Sequence, residues 1–236
     1  MITEKSEFLD RRLRLNVTYF NMDYEDKQLT VTTSPICNNR CTTNVGSAKI
    51  DGWEIESVWQ ATEALQLHAN IGLLDAKWDE ITNPAAGVTG DSNFARAPDS
   101  SANLGGRYDW ALNNGSGISF MLDYSYRDDQ ESSGQNSTTL TIPSYSLWTA
   151  RIKYVSNEGD LEIGVFCTNC ADEEYITGGA AWGVATDNTQ FSYKQSTVHP
   201  AYVTGGLNPW GVAPPGITMV NVGAPRIYGV DLRYNF

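Results

Sequence analysis

No stretch of about 18 consecutive apolar residues occurs anywhere in the 236 residues, and this excludes a membrane-crossing helix. The mean hydropathy of -0.36 agrees with that. Basic residues are scarce: 16 Lys and Arg stand against 28 Asp and Glu, for a net charge of -12. A nucleic-acid partner is excluded on that ground, because phosphates demand a basic surface. The only histidines, His68 and His199, lie far apart without ligand partners at metal spacing, so neither metal nor cofactor is expected. Nucleophile elbow, phosphate-cradling glycine motif and carboxylates at telling spacing are all missing, and no enzymatic activity is expected. The opening Met1-Ile2-Thr3-Glu4-Lys5-Ser6 has neither the basic nor the apolar region of a secretory leader, so none is expected within the chain. Cysteine is limited to Cys37, Cys41, Cys167 and Cys170. Four cysteines allow three pairings. Cys-x-x-Cys spacing also suits zinc, but the wide gap between the pairs favours local disulfides, Cys37–Cys41 and Cys167–Cys170, in an oxidising compartment.

What the chain does have is alternation. Leu13, Leu15, Val17 and Tyr19 alternate with Arg12, Arg14, Asn16 and Thr18. The same period recurs in Trp53, Ile55 and Trp59, in Leu65 to Leu73, in Leu104, Tyr108 and Trp110, and in Ile118 to Tyr126. It returns in Trp148 to Tyr154, in Leu161, Ile163 and Val165, and in the terminal Tyr228, Val230, Leu232, Tyr234 and Phe236. Successive side chains of a strand point to opposite faces, so each segment carries one greasy and one polar face. Tight Asn/Gly-type turns near 61–64, 113–116 and 156–159 alternate with long connections at about 34–47, 81–98, 129–142 and 170–219. Short turns at one end and long loops at the other are the asymmetry of an outer-membrane barrel.

The reading is therefore all-β: an antiparallel up-and-down transmembrane β-barrel segment of about eight strands. A closed small barrel is its alternative. Such a chain starts on the periplasmic side and finishes there at Phe236, with its long loops extracellular. Arg12, Arg14, Glu54, Glu56, Arg107, Asp123, Arg127, Arg151, Lys153, Glu162, Asp231 and Arg233 fall on the inward face as a wetted lumen wall. Trp53, Trp59, Tyr108, Trp110, Tyr124, Tyr126, Trp148, Tyr154, Tyr228 and Tyr234 fall on the outward face near strand ends, as an aromatic girdle facing outer-membrane lipid. Trp182, Phe191, Tyr193, Tyr202 and Trp210 are assigned to packing within the last long loop.

Three stretches carry a family resemblance. One runs from Lys5 through Phe8, Leu13, Tyr19 and Tyr24 to Gln28 as a long ascending strand. The second is Asn44-Val45-Gly46-Ser47-Ala48-Lys49-Ile50-Asp51-Gly52-Trp53-Glu54, in which Gly52 and Glu54 are the marked positions. The third joins Asn169, Asp172 and Tyr175 to Pro225 and Arg226 ahead of the terminal strand. Together they resemble the C-terminal β-barrel portion of TonB-dependent outer-membrane receptors, over residues 1–236 except the loop around 178–219. The resemblance implies uptake of a scarce or bulky nutrient, such as an iron–siderophore complex, cobalamin or an oligosaccharide, in a Gram-negative outer membrane. It also implies that barrel assembly machinery reads the signature from Tyr228 to Phe236. The family's TonB-type energy coupling acts through a plug domain that is not expected within this chain. Two other readings are a self-contained outer-membrane barrel, adhesive or structural, and a soluble β-sandwich binding module.

Overall fold

The computed structural model describes residues 1–34, 37–134, 140–182, 202–204 and 215–235. Its strands are β1 (Ile2–Phe8), β2 (Leu13–Ser34), β3 (Cys37–Gln60), β4 (Leu65–Ile81), β5 (Ser100–Ala111), β6 (Gly117–Arg127), β7 (Gln130–Glu131) and β8 (Thr141–Ile142). They continue as β9 (Tyr145–Val155), β10 (Leu161–Thr168), β11 (Ile176–Trp182), β12 (Tyr202–Thr204), β13 (Pro215–Val222) and β14 (Ile227–Tyr234). Nine strands form one antiparallel sheet in the order β1-β2-β3-β4-β5-β6-β9-β10-β14. The short strands form a three-stranded sheet, β11-β13-β12, and a two-stranded ribbon, β7-β8. The only helical turn among the described residues is the 3-10 segment Pro84–Ala86.

Tight turns gather at one end of the sheet. Gly115 (φ 85°) and Gly159 (φ 76°) take the left-handed conformation that closes two of them. Their amides bond back to Leu112 and Ser156 at 3.0 Å each. Register keeps one face continuous across all nine strands. The row Leu13–Trp59–Leu67–Gly106–Leu122–Ala150–Cys167–Tyr228 runs outward throughout. That row begins beside a tight turn on β2 and ends at the far tip of β10. The strands are therefore staggered from neighbour to neighbour, as barrel curvature requires.

On β2, β3 and β4 the two faces exchange character without any break in the ladder. Tyr19, Trp53 and Leu73 form the last outward apolar row. The next outward rows are Asn21–Asp51–Asp75 and Asp23–Lys49–Lys77. Inward, the polar row Thr18–Glu54–Gly72 gives way to Phe20–Gly52–Leu74 and then to Tyr24–Ala48–Trp78. Beyond this crossover the inner face carries a buried cluster of Val31, Val45, Ala48, Trp78, Ala86, Val88 and Phe94. The connection 82–99 closes over it: Thr82 and Asn83 amides bond the Val45 carbonyl at 2.9 and 3.1 Å. Trp78 and Phe94 rings lie 4.8 Å apart. A second cluster of Leu140, Ile142 and Ile176 joins β8 to β11. Arg96 links the two, taking the Glu131 carbonyl with its amide and the Thr177 carbonyl with its guanidinium. These connections form a folded cap.

Several expectations change. The main sheet has nine strands, because the stretch read as one strand from Lys5 folds back on itself. Leu9, Asp10 and Arg11 turn it with φ of 53°, 56° and 66°, and Arg12 lies in this turn, outside the lumen wall. Glu4 and Ser6 occupy outward positions of β1, which hid its period. The chain consequently starts away from the turn end, although it still finishes there. The connection expected at about 34–47 is mostly strand: β2 and β3 stay paired up to Ser34 and Cys37. In this extension neither face is uniformly apolar, so no alternation marked it. The 129–142 and 170–219 connections carry strands of their own. The outer strands β1 and β14 are not paired with each other, so the sheet is open and the closed small barrel is not formed. Among the described residues no second sheet packs on its greasy face, as a sandwich would require.

Candidate functional site

The inward face of the sheet is the candidate site, and its charges pair across strands. Arg151 on β9 reaches Asp231 on β14 at 2.6 and 2.7 Å, skipping the intervening strand β10. His68 on β4 reaches Asp123 on β6 at 3.1 Å, skipping β5. Both contacts pass over a glycine. A Cβ on Gly164 would strike the Asp231 carboxylate, and one on Gly105 would strike both Asp123 and His68. Lys153 pairs with Glu162 at 3.0 Å, and Arg107 with Asp109 at 2.8 Å. The expected lumen residues Arg14, Glu54, Glu56, Arg107, Asp123, Arg127, Arg151, Lys153, Glu162, Asp231 and Arg233 all take the inward register.

Nearer the loop end the wall dips into a depression of about 450 Å³. Glu54 and Glu56 border it on β3, Arg127 and Tyr145 on β6 and β9, with Asn70, Ser101, Asn103 and Ser125 on its floor. The side-chain contacts here include a hydrogen bond from Asn16 to Glu56 at 3.2 Å, one from the Tyr126 hydroxyl to Asp128 at 3.1 Å, and Tyr145 stacking on Tyr175 at 4.7 Å.

Asn169, Asp172, Tyr175, Pro225 and Arg226 come together at the loop end of β10. Asn169 is buried and left-handed (φ 47°). Its amide donates to the Glu173 and Ala224 carbonyls at 2.9 and 3.1 Å, and its oxygen accepts from the Glu173 amide at 2.9 Å. Asp172 accepts from the Arg226 amide at 3.2 Å and faces its guanidinium at 3.4 Å. The Tyr175 carbonyl accepts from the Gly223 amide at 2.8 Å. Pro225 sits in the link that these bonds hold. This cluster anchors β14 to β10, and the Asn169 and Asp172 side chains are spent on that task. Cys167 and Cys170 are disulfide-bonded across it, with Cα atoms 5.5 Å apart. Cys37 lies on β3, but its side chain falls outside the described residues, and the Cys37–Cys41 pairing with it.

The aromatic girdle residues take the outward register. Tyr19 stacks on Trp53 at 4.9 Å, and Tyr124 on Trp148 at 4.8 Å. Gly52 lies beneath the Phe20 ring, which a Cβ there would strike. Tyr228, Val230, Leu232 and Tyr234 point outward on the edge strand at 52–73% exposure. Phe236, His199, Phe191, Tyr193, Trp210 and the side chains of Trp182 and Tyr202 lie outside the described residues. Lys27 and Asp129 are among the titrating groups of the cap that are shifted. Burial lowers the Lys27 ammonium, which rests 4.7 Å from the Phe94 ring centre and 4.9 Å from that of Tyr24. Burial, then the Asp128 charge, raises the Asp129 carboxyl. The His68–Asp123 contact was not anticipated; only the three-strand register around Gly105 reveals it.

An open antiparallel sheet, greasy outside, polar inside and turned tightly at one end, is a segment of an up-and-down transmembrane β-barrel. Residues 4–169 match the family described as TonB dependent receptor-like, beta-barrel, and the chain belongs to that family. In fold it is similar to the ferric yersiniabactin uptake receptor FyuA from Yersinia pestis, with TM-score 0.68, 16% identity, and coverage of 99% of this chain and 29% of that one. The siderophore receptor PiuA from Acinetobacter baumannii gives 0.61 and 18%, covering 98% and 27%. The ferric-catecholate import receptor Fiu from E. coli K12 gives 0.63 and 17%, covering 98% and 26%. The chain thus spans 26–29% of the length of these proteins, and at such identities the likeness is one of fold.

Proposed function

We propose that the chain forms the C-terminal part of an outer-membrane receptor barrel that takes up a scarce or bulky nutrient, such as an iron–siderophore complex, cobalamin or an oligosaccharide. The exchange of face character at Tyr19–Trp53–Leu73 carries this reading, because only lipid below that row and water above it explain both faces at once. In this reading the tight turns face the periplasm and the cap faces the exterior. The strand from Tyr228 to Phe236 is what barrel assembly machinery recognises. Energy from a TonB-type complex reaches the lumen through a plug domain supplied elsewhere in the complete receptor. Ferric uptake neighbours favour an iron chelate among the nutrients.

Two measurements test it. Single cysteines at Asn157 and at Asp91, in a background lacking the native cysteines, should react with an impermeant maleimide in intact cells only at Asp91. Reaction at Asn157 alone would reverse the orientation, and recovery of the protein outside the outer-membrane fraction would defeat the reading. Loss of the gene should slow growth on a chelated iron source as the sole iron supply; unchanged growth on every chelate tried would remove the iron assignment.

A further inference from the structure

We infer that a furrow over Gly106 on the outward face holds one acyl chain of a phospholipid, drawn from the leaflet nearest the tight turns; this rests on the receptor reading above. Gly105 and Gly106 follow each other on β5 and face opposite sides of the sheet. Inward, His68 and Asp123 meet over Gly105. Outward, Gly106 is flanked by Leu67 on β4 and Leu122 on β6, and by Leu104 and Tyr108 on its own strand. Among the described residues it is the one glycine at an outward position of the band. The result is a depression of about 530 Å³, walled by these side chains together with Phe120 and Trp148. A Cβ on Gly106 would meet the Leu67 Cδ2 atom at 2.8 Å, so any larger residue there pushes into the wall of the furrow.

No charged side chain lines the furrow, so its occupant offers hydrocarbon rather than a headgroup. The lining residues lie on β4, β5, β6 and β9. Their footprint is roughly 14 Å on a side, or about 200 Å², whereas a stable protein contact buries about 800 Å² on each partner. A partner helix, about 10 Å across with its side chains, is too wide for a trough whose floor is one strand. A single hydrocarbon chain packs at about 4 Å from its neighbours and enters it. Within a bilayer there is no water to expel, so the chain is held by contact with leucines and rings that an unfilled trough would forfeit. Leu65 pairs with Tyr108 directly after the tight turn at 61–64, which puts the furrow in the turn half of the band and its lipid in that leaflet. The acyl chain then covers from outside a point where two successive residues bring no side chain to the wall.

The test is native mass spectrometry of the assembled protein, extracted from the membrane in a mild detergent. The parent should keep one more phospholipid per copy than Gly106→Leu, whose side chain fills the furrow. Ala150→Leu, at the next small outward position of the same row but outside the furrow, should keep the parent's number. Equal retention by parent and Gly106→Leu overturns the inference. So does lipopolysaccharide in place of phospholipid, or a dimer that Gly106→Leu turns into a monomer, which would give the furrow to a second copy. A second measurement needs no variant: a phospholipid with a photoactivatable diazirine in mid-chain, added to the unaltered protein in vesicles. Label should concentrate on Leu67, Leu104 and Leu122 over Ile152 and Val165, and uniform labelling of the outward face overturns the inference. Uptake by cells separates the two readings. Failure to take up any chelate, with the phospholipid still retained, counts against the receptor assignment alone; normal uptake without a retained phospholipid counts against this inference alone.

Discussion

Two parts of one continuous sheet solve opposite problems. Below the Tyr19–Trp53–Leu73 row the strands carry Leu122, Ile152 and Val165 half bare, at 50%, 45% and 44% exposure. Above it, Val31, Val45 and Trp78 are buried at 0%, 0% and 7%. Among the described residues, every buried apolar side chain belongs to the cap and its strand extensions, none to the outward band. The band has no core of its own among the described residues, and in the proposed reading lipid serves as its other half. The cap must bury its apolar groups against its own loops, since only water surrounds it. The same strands thus pass from one solvent to the other, and their two faces trade roles where the solvent changes.

The sharpest way to break this contrast is Trp78→Ala. Emptying the cap cluster should cost about 3–5 kcal/mol of cap stability, seen as faster amide exchange around Val45 and Thr82 while β5 and β6 keep their protection. Equal loss of protection in the band would show the two parts to be one cooperative unit. Trp78→Phe should be far milder, because the buried indole nitrogen has no hydrogen-bond partner to lose.

On β6 the two faces can be set against each other. Leu122→Arg should destabilise the assembled protein by about 2–4 kcal/mol, and Ser125→Arg should be close to neutral. Denaturant titration in lipid vesicles checks this, and similar costs at both positions would mean that Leu122 does not face hydrocarbon.

Replacing Cys167 and Cys170 with serine should remove roughly 2 kcal/mol from the junction between β10 and β14 by the loop-entropy estimate for so short a ring. Exchange of the Glu173 and Arg226 amides reports it. Arg151→Met should cost under about 1 kcal/mol, since that pair is partly solvated; its effect should appear as fraying of β14 rather than as loss of the sheet.

The smallest effect is one of pH in the cap. Asp129 holds its proton more tightly folded than unfolded, so ionising it works against the cap. Its favourable contribution is full below the ordinary carboxylate pKa and is lost as pH rises through the raised folded value. Asp129→Asn should accordingly stabilise the cap relative to the parent at neutral pH and lose that advantage in acid. Proteolysis of the 129–142 connection at the two pH values decides it.

The band was readable in the sequence because lipid imposes a period on every strand that crosses it: Ile118 to Tyr126 can be read at sight. The cap was not, for the same reason. Past the crossover on β2 and β3 neither face is uniformly greasy, and the stretch expected as a connection at about 34–47 pairs as strand from Cys37 onward. β1 escaped because Glu4 and Ser6 interrupt its outward face. The lumen wall was legible as a set of inward residues and illegible as contacts. Asp231 is distant from Arg151 in sequence, and their meeting depends on the registers of three strands at once.

Those contacts have an unexpected dependency. Gly105 and Gly164 have no side chain to offer, yet each is the window through which two polar side chains on its neighbouring strands meet. An alanine at either position would shutter that window and strand a carboxylate without altering a single ionisable residue. A survey that ranks positions by charge would pass over both. In this wall, which side chains can meet across a strand is decided by where the chain leaves a side chain out.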